Sequence, residues 1–180
     1  MKHYGFLLLP EFSNLCLANS VEPLRAANSF ITHDAYSWSL VSIDGEPVKS
    51  SSNFTVQVQS SLKDLLENTP PDILFVLASY HYQTHTTQEV MKTLRFAKQK
   101  ISVIGGLDAG SYALAKAGLL EGYQATIHWA ELETFSESFP NIQVKADRHI
   151  IDRNRITCGG AITALELMLA LIRQEQGASI

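Results

Sequence analysis

The chain has 180 residues, which suffices for one domain with a full hydrophobic core. Its formal net charge of −4 argues against the basic surface of a nucleic-acid-binding domain. No stretch approaches the ~20 apolar residues that span a bilayer, and the apolar N-terminal run lacks the cleavage site of a signal peptide. The two cysteines, Cys16 and Cys158, form no disulfide framework and suit a reducing cytoplasm.

Strands and helices are predicted to alternate along most of the chain. The first strand, residues 4–9, is continuously apolar, and the helix predicted at 15–30 contains Pro23, so a kink or break is expected there. Further strands are predicted at 36–43, 54–58, 72–78, 101–104 and 125–128, with strands near an edge at 142–146 and 149–158. Further helices are predicted at 61–68, capped by Ser61, and at 86–99, 112–120, 130–138 and 161–174. This order predicts an α/β fold in one domain over residues 1–180: a doubly wound, mostly parallel sheet with helices on both faces.

The segment IGGLDAGS, residues 104–111, is predicted to form a strand, a sharp turn and a helix start. Gly106-x-Asp108-x-Gly110 has the spacing of a nucleophile elbow, in which a tight turn lifts one side chain above the sheet. The lifted residue is normally Ser or Cys, whereas here it is Asp108. We therefore predict a site that binds a ligand through Asp108 and the adjoining Ala109 and does not cleave it. The alternative is that Asp108 only caps a helix.

Four blocks that span nearly the whole chain carry a resemblance to a known family: FLLLPEFSNLCLANSVEPLRAAN, DILFVLAS, IGGLDAGSYALAKAGLLEGYQATIHW and RNRITCGGAITALELMLALI. With these blocks the chain resembles the ThiJ/PfpI-type, class I glutamine amidotransferase-like superfamily. It is more closely similar to the ligand-sensing N-terminal domain of a group of AraC-family transcriptional regulators. The resemblance implies a flavodoxin-like sheet, a homodimer, and a C-terminal helix-turn-helix DNA-binding domain for which these 180 residues leave no room. Asp108 stands where the enzymes of the superfamily carry cysteine, which argues against hydrolase or amidase chemistry.

The resemblance implies further site residues. Glu22 is expected to face Asp108, and two adjacent carboxylates either share a proton or hold a cation between them. His128 is expected to complete the site, and Trp129 offers an aromatic face for a quaternary ammonium or guanidinium group. Without the resemblance, Glu22 is more simply a solvated helix residue, and Trp129 is equally well explained as core packing.

Residues after other strands are weaker candidates. Phe12 and Tyr80 follow the first strand and the strand at 72–78, and ligands bind beyond the carboxyl ends of such strands. The histidines show no metal-ligand spacing with cysteines or acids, so no metal and no cofactor are predicted; they include His3, His33, His81, His85 and His149. Cys158 also precedes a helix, but we interpret it as a small buried residue at a strand end.

These observations predict a cytoplasmic, non-enzymatic sensor of a small effector, with no membrane partner and with DNA bound only through the absent domain. The predicted effector is a cationic or zwitterionic nitrogen metabolite, arginine-like or betaine-like. In the alternative, Asp108 is a carboxylate nucleophile and His128 activates water to release an ester intermediate. A third possibility is a dimerisation domain with a relic pocket. No residue is predicted to be catalytic under the preferred interpretation.

Overall fold

The computed structural model describes residues 1–31 and 35–177. Its strands are β1 (Lys2–Leu8), β2 (Tyr36–Ser42), β3 (Val48–Lys49), β4 (Thr55–Val56), β5 (Ser60–Ser61), β6 (Ile73–Ala78), β7 (Val103–Asp108), β8 (Gln124–Ala125), β9 (Gln143–Val144), β10 (His149–Asp152) and β11 (Arg155–Cys158). Its helices are α1 (Asn14–Phe30), α2 (Leu62–Asn68), α3 (Tyr82–His85), α4 (Gln88–Lys100), α5 (Gly110–Lys116), α6 (Leu132–Ser138) and α7 (Ile162–Gln176), with a 3-10 turn at Trp129–Glu131. Among the described residues, none of the helices is both long and apolar enough to cross a bilayer.

A seven-stranded sheet forms the centre of the molecule, in the order β10-β11-β7-β6-β1-β2-β5. Its described strands pair in parallel, except that β10 and β11 form an antiparallel hairpin at one edge. Parallel neighbours require crossover connections. Helices supply them, except between β2 and β5, where the β3–β4 pair lies in the connection. The predicted doubly wound, mostly parallel α/β fold is thus confirmed.

The core lies in two layers, one on each face of the sheet. Along β1, Tyr4, Phe6 and Leu8 join a cluster that includes side chains of α1 and α7. Leu7 points to the opposite face, into a cluster with residues of α2, α4 and α5. Successive side chains of a strand face opposite sides, so a strand covered on both faces must be apolar throughout. This is why the continuous apolar run near the N-terminus predicted a central strand.

Several element boundaries differ from those predicted. The strand predicted to end at Ile104 runs on to Asp108 as β7, and α5 starts at Gly110 and ends at Lys116. Helix α1 continues through Pro23 without a break. Helix α3 and strand β3, which pairs with β4, were not predicted. Of the strand predicted at 125–128 only Ala125 is in β8, which pairs with β9 in a separate small sheet.

Candidate functional site

Asp108 occupies a sharp turn between β7 and α5. It is the last residue of β7 and has a φ of +59°, a left-handed conformation that is uncommon outside glycine. Helix and strands approach so closely here that a Cβ on Gly110 would lie 1.9 Å from the carbonyl oxygen of Val76, and one on Gly106 would lie 2.5 Å from the amide nitrogen of Ser111. Both clashes are with backbone atoms, which cannot move aside. The two glycines are therefore what allows the backbone to turn at Asp108.

The Asp108 side chain is held in a mostly enclosed position. The residue is 7% exposed, and a Cβ on Gly160, in the turn between β11 and α7, would lie 2.7 Å from the Asp108 Cβ. Burial raises the pKa of Asp108 from its ordinary 3.8 to about 6, against the opposing charge of His128 and a hydrogen bond from Ser79. At neutral pH the carboxyl group is thus mostly ionised, although its burial disfavours the charged form.

Asp108 opens into a cleft of about 630 Å³ at the carboxyl end of the sheet. Tyr80, His128 and Trp129 also line it, together with hydroxyl side chains of Ser13, Ser51, Ser79, Thr126 and Thr163. A smaller recess of about 230 Å³ shares Asp108, Tyr80 and His128, and Ala109 lines it. The combined size suits a small metabolite, and the position matches the place where open α/β sheets bind ligands.

The structure brings five of the seven predicted ligand-binding residues together. Asp108, His128, Trp129 and Tyr80 line the cleft, and Ala109 lines the recess. Trp129 is 77% exposed, so the alternative that it is core packing is wrong. His128 precedes the 3-10 turn, and its Nδ1 accepts a hydrogen bond from the amide of Ala130 at 3.3 Å. The aromatic face and the carboxylate are therefore available to one ligand.

The expectation that Glu22 faces Asp108 is wrong. The Glu22 side chain is 59% exposed and pairs with Arg25 Nε at 2.8 Å, away from the residues that line the cleft. The cause is the phase of α1, because the helix buries a stripe that includes Cys16, and Glu22 lies six residues, or roughly 120° of rotation, from it. The α1 residue that lies near Asp108 is Cys16. Burial, and then the nearby Cys158 and Asp108, raise the pKa of its thiol.

The placement of Phe12 also corrects a prediction. Phe12 is 0% exposed and packs in the core cluster with β1 and α1, so it cannot touch a ligand in the cleft. The next residue, Ser13, lines the cleft instead. Cys158 is 0% exposed, and burial is the main cause that raises the pKa of its thiol to about 11. Its interpretation as a buried strand-end residue is confirmed.

The cleft also carries charged side chains that were not predicted from the sequence to lie there. Asp147 and Arg148 line it, and Arg148 Nη1 lies 2.6 Å from Glu166 Oε1. The Thr126 hydroxyl donates to the Asp147 carbonyl at 2.9 Å and thereby holds this loop beside the segment that leads to His128. The sequence signal, charges of alternating sign, is typical of a solvated hairpin and does not by itself indicate a site.

Two of the histidines for which the sequence shows no metal-ligand spacing share an acidic partner in the structure. Glu11 Oε2 lies 2.7 Å from His81 Nδ1 and 2.9 Å from His85 Nε2. Glu11 follows β1, whereas His81 is the N-cap of α3 and His85 its last residue. Some 70 residues therefore separate the partners, and no local spacing reveals them. His33 lies outside the residues that the structure describes.

Comparisons with known proteins bear on this site. A sequence profile of the DJ-1/PfpI family matches residues 7–174. The HTH-type transcriptional regulator CdhR of Pseudomonas aeruginosa is 40% identical over 174 residues, which cover 97% of this chain and 51% of CdhR. The isonitrile hydratase of Pseudomonas putida is 27% identical over 179 residues, covering 96% of this chain and 72% of the enzyme.

A solved structure shows the same fold. The crystal structure of an AraC family transcriptional regulator from Pseudomonas putida superposes with a TM-score of 0.85 at 26% identity, covering 98% of this chain and 94% of the other. The present chain spans about half the length of the curated regulators that it matches.

Proposed function

The chain belongs to the DJ-1/PfpI family, and we propose that it is the effector-sensing part of a transcriptional regulator that binds a small nitrogen metabolite in the Asp108 cleft. The observation that carries this proposal is a buried, ionisable carboxylate that opens into a cleft beside exposed aromatic faces. A charge kept at a cost to stability, in a strained turn, is typical of a functional site. The sequence relatives named as regulators support the biological role.

The chemistry of the cleft favours a cationic or zwitterionic effector, arginine-like or betaine-like. Asp108 supplies a negative charge, and Trp129 and Tyr80, which are 77% and 64% exposed, supply aromatic faces to a guanidinium or quaternary ammonium group. Such a cation–π contact contributes about 0.5–2 kcal/mol. Arg148 on the same cleft, which also pairs with Glu166 Oε1, offers a positive charge to a carboxylate of the ligand. A zwitterion therefore finds a partner for each of its charges.

The remaining parts of the regulator are proposed from the relatives and from the surface of the chain. DNA binding is assigned to a helix-turn-helix domain outside these residues, in the cytoplasm, because the relatives are named HTH-type regulators and the formal net charge of −4 disfavours DNA binding by this chain itself. A homodimer is supported by exposed apolar side chains on α1 and α7: Leu15, Phe30, Ile162 and Leu169 are 53–80% exposed, and Phe30 and Leu169 line one shared surface pocket. Monomeric proteins rarely leave a large apolar patch uncovered.

An enzymatic function is the competing candidate, and the likeness to isonitrile hydratase favours it. Asp108 would attack the substrate as a carboxylate nucleophile, and His128 in the same cleft would activate water to hydrolyse the resulting ester. A carboxylate is a much poorer nucleophile than the activated serine or cysteine that an elbow normally presents. We therefore prefer binding without turnover.

Thermal unfolding against a panel of amino acids, guanidines and quaternary ammonium compounds distinguishes these functions. A ligand at about 100 times its Kd stabilises the folded chain by about 2.7 kcal/mol. For a sensor, we expect stabilisation that rises with the logarithm of the ligand concentration once this exceeds Kd. It should be clearly reduced in Asp108→Asn and unchanged in the surface control Glu22→Gln, with the compound recovered unchanged by NMR. Product formation that stops in Asp108→Asn would establish the enzyme instead. If no compound stabilises the chain or is converted, both candidates are wrong.

A further inference from the structure

Glu11, His81 and His85 form a cluster of metal-ligand side chains at the edge of the Asp108 cleft. One nitrogen of each histidine and one carboxylate oxygen of Glu11 lie within 4.8 Å of one another. The Glu11 Oε2 is shared, at 2.7 Å from His81 Nδ1 and 2.9 Å from His85 Nε2. The three side chains thus point their donor atoms at a common centre.

The topology of the sheet builds this cluster. Strands β1 and β6 are parallel neighbours, so the turns that follow them, which carry Glu11 and His81, meet at the same end of the sheet. His85 lies four residues after His81, which places both on one side of α3. Glu11 and His81 both have left-handed backbones, with φ of +60° and +50°. The Glu11 amide also donates to the Lys49 carbonyl at 2.8 Å, which fixes the position of the turn.

We propose that Glu11 Oε2, His81 Nδ1 and His85 Nε2 bind a divalent transition-metal ion of the zinc type. Two imidazole nitrogens and one carboxylate oxygen are a donor set that such ions prefer, with water in the remaining positions. Metal–ligand bonds of about 2.0–2.2 Å place the donors of a tetrahedral site about 3.3 Å apart. The donors need to move by roughly 1 Å or less to reach this spacing. The His81 side chain is 72% exposed, so water has access to the open positions.

The charge around the cluster favours a cation. His85 also lines a neighbouring cavity of about 470 Å³, whose charged side chains are three acids, Asp44, Glu46 and Glu89, and one base, Lys49. The cluster itself adds the Glu11 carboxylate and two histidines that bind a metal in their neutral form. A divalent ion therefore enters a region with a surplus of negative charge.

An ion at this position would join the two loops that carry the wall of the Asp108 cleft. Ser13 lies two residues after Glu11, and Tyr80 lies next to His81; both line the cleft. Tying these loops together restricts the positions of Ser13 and Tyr80. The cluster is thus an independent site whose occupancy acts on the shape of the cleft, and its existence does not depend on the identity of the effector.

Titration of the chelator-treated chain with Zn²⁺, in competition with a chromogenic chelator, tests the proposal. We expect one ion per chain and a loss of at least about tenfold in affinity for each of Glu11→Gln, His81→Gln and His85→Gln. His3→Gln is the matched control, because His3 lies outside the cluster and its Nε2 is bonded to Ser39 Oγ at 2.9 Å. Circular dichroism without metal establishes that each variant is folded.

Nitrogen NMR of the histidine rings makes the test independent of the variants. With Zn²⁺ added to the unaltered chain, we expect the ligand-type shift at Nδ1 of His81 and at Nε2 of His85, and no change at His3. Zn²⁺ binding weaker than about 1 mM, binding that survives all three substitutions, or shifts at other histidines would each overturn the proposal. In the first case the cluster is only a hydrogen-bonded tie between the two loops.

Discussion

Replacing Asp108 by asparagine is expected to stabilise the chain at neutral pH. Among uncharged residues with a side chain, asparagine is one of those that best tolerate the left-handed backbone at this position, so the substitution removes the charge with little strain. Burial holds the pKa of Asp108 at about 6 in the folded chain, against the ordinary 3.8 expected after unfolding. At about 1.36 kcal/mol per pKa unit, the ionised carboxylate lowers the free energy of unfolding by about 3 kcal/mol.

The pH dependence has a definite sign. Between about pH 4 and pH 6 the folded chain retains a proton on Asp108 that the unfolded chain has lost. The free energy of unfolding therefore falls as the pH rises through this window and remains low above it. The advantage of Asp108→Asn over the parent should grow by about 3 kcal/mol from pH 3.5 to pH 7.5, which is about 6–12 °C in Tm for a chain of this size.

Urea unfolding of the parent and of Asp108→Asn at several pH values measures this difference. The matched control is Asp147→Asn, an exposed carboxylate on the same cleft, which should change stability by less than about 0.5 kcal/mol at every pH. If Asp108→Asn is no more stable than the parent at pH 7.5, or if its advantage is the same at pH 3.5, the assignment of a buried, destabilising charge is refuted.

Three further outcomes are expected. Effector affinity should fall about tenfold per pH unit below about pH 6, because Asp108 then binds a proton in place of the cation, and calorimetry across this range measures it. In urea unfolding, Gly110→Ala should destabilise the chain by about 3 kcal/mol or more, because the new methyl group would lie 1.9 Å from a β6 carbonyl oxygen. The control Gly159→Ala, whose methyl group would have no contact under 3.5 Å, should be tolerated. Equal losses of stability in the two variants would contradict the turn geometry. Phe12→Ala should cost about 3–5 kcal/mol of stability, because Phe12 is buried in the core. Trp129→Ala should cost almost no stability and should weaken effector binding by about 0.5–2 kcal/mol. The opposite pattern would make Phe12 the ligand contact and Trp129 the core residue.

The general fold and the centre of the site were predictable from the sequence for physical reasons. A strand covered on both faces must be apolar throughout, and the continuous apolar runs of β1 and β6 therefore identify them as central strands. A sharp turn between a strand and a helix requires glycine where two backbone segments lie in contact, and the glycines Gly106 and Gly110 therefore identify the turn at Asp108. In both cases the constraint acts on neighbouring residues, so a single sequence displays it.

The errors arose where the structure depends on helix phase or on distant contacts. Glu22 was placed at the elbow by resemblance, but the buried stripe of α1 turns it to solvent and puts Cys16 toward Asp108. The contact between Glu11 and His81 arises because two distant strands are neighbours in the sheet. Neither relation leaves a local pattern of residue types, and only the three-dimensional arrangement reveals it.

Calorimetric titration at pH 7.5 of the most stabilising nitrogen compound tests the effector site most directly. We expect saturable binding at one site per chain and an affinity at least about tenfold lower in Asp108→Asn, since a hydrogen bond to a charged group contributes about 1.5–3 kcal/mol. Glu22→Gln should bind as the parent does, because Glu22 lies outside the cleft. Equal affinity in the parent and in Asp108→Asn would contradict the claim that this carboxylate receives the ligand.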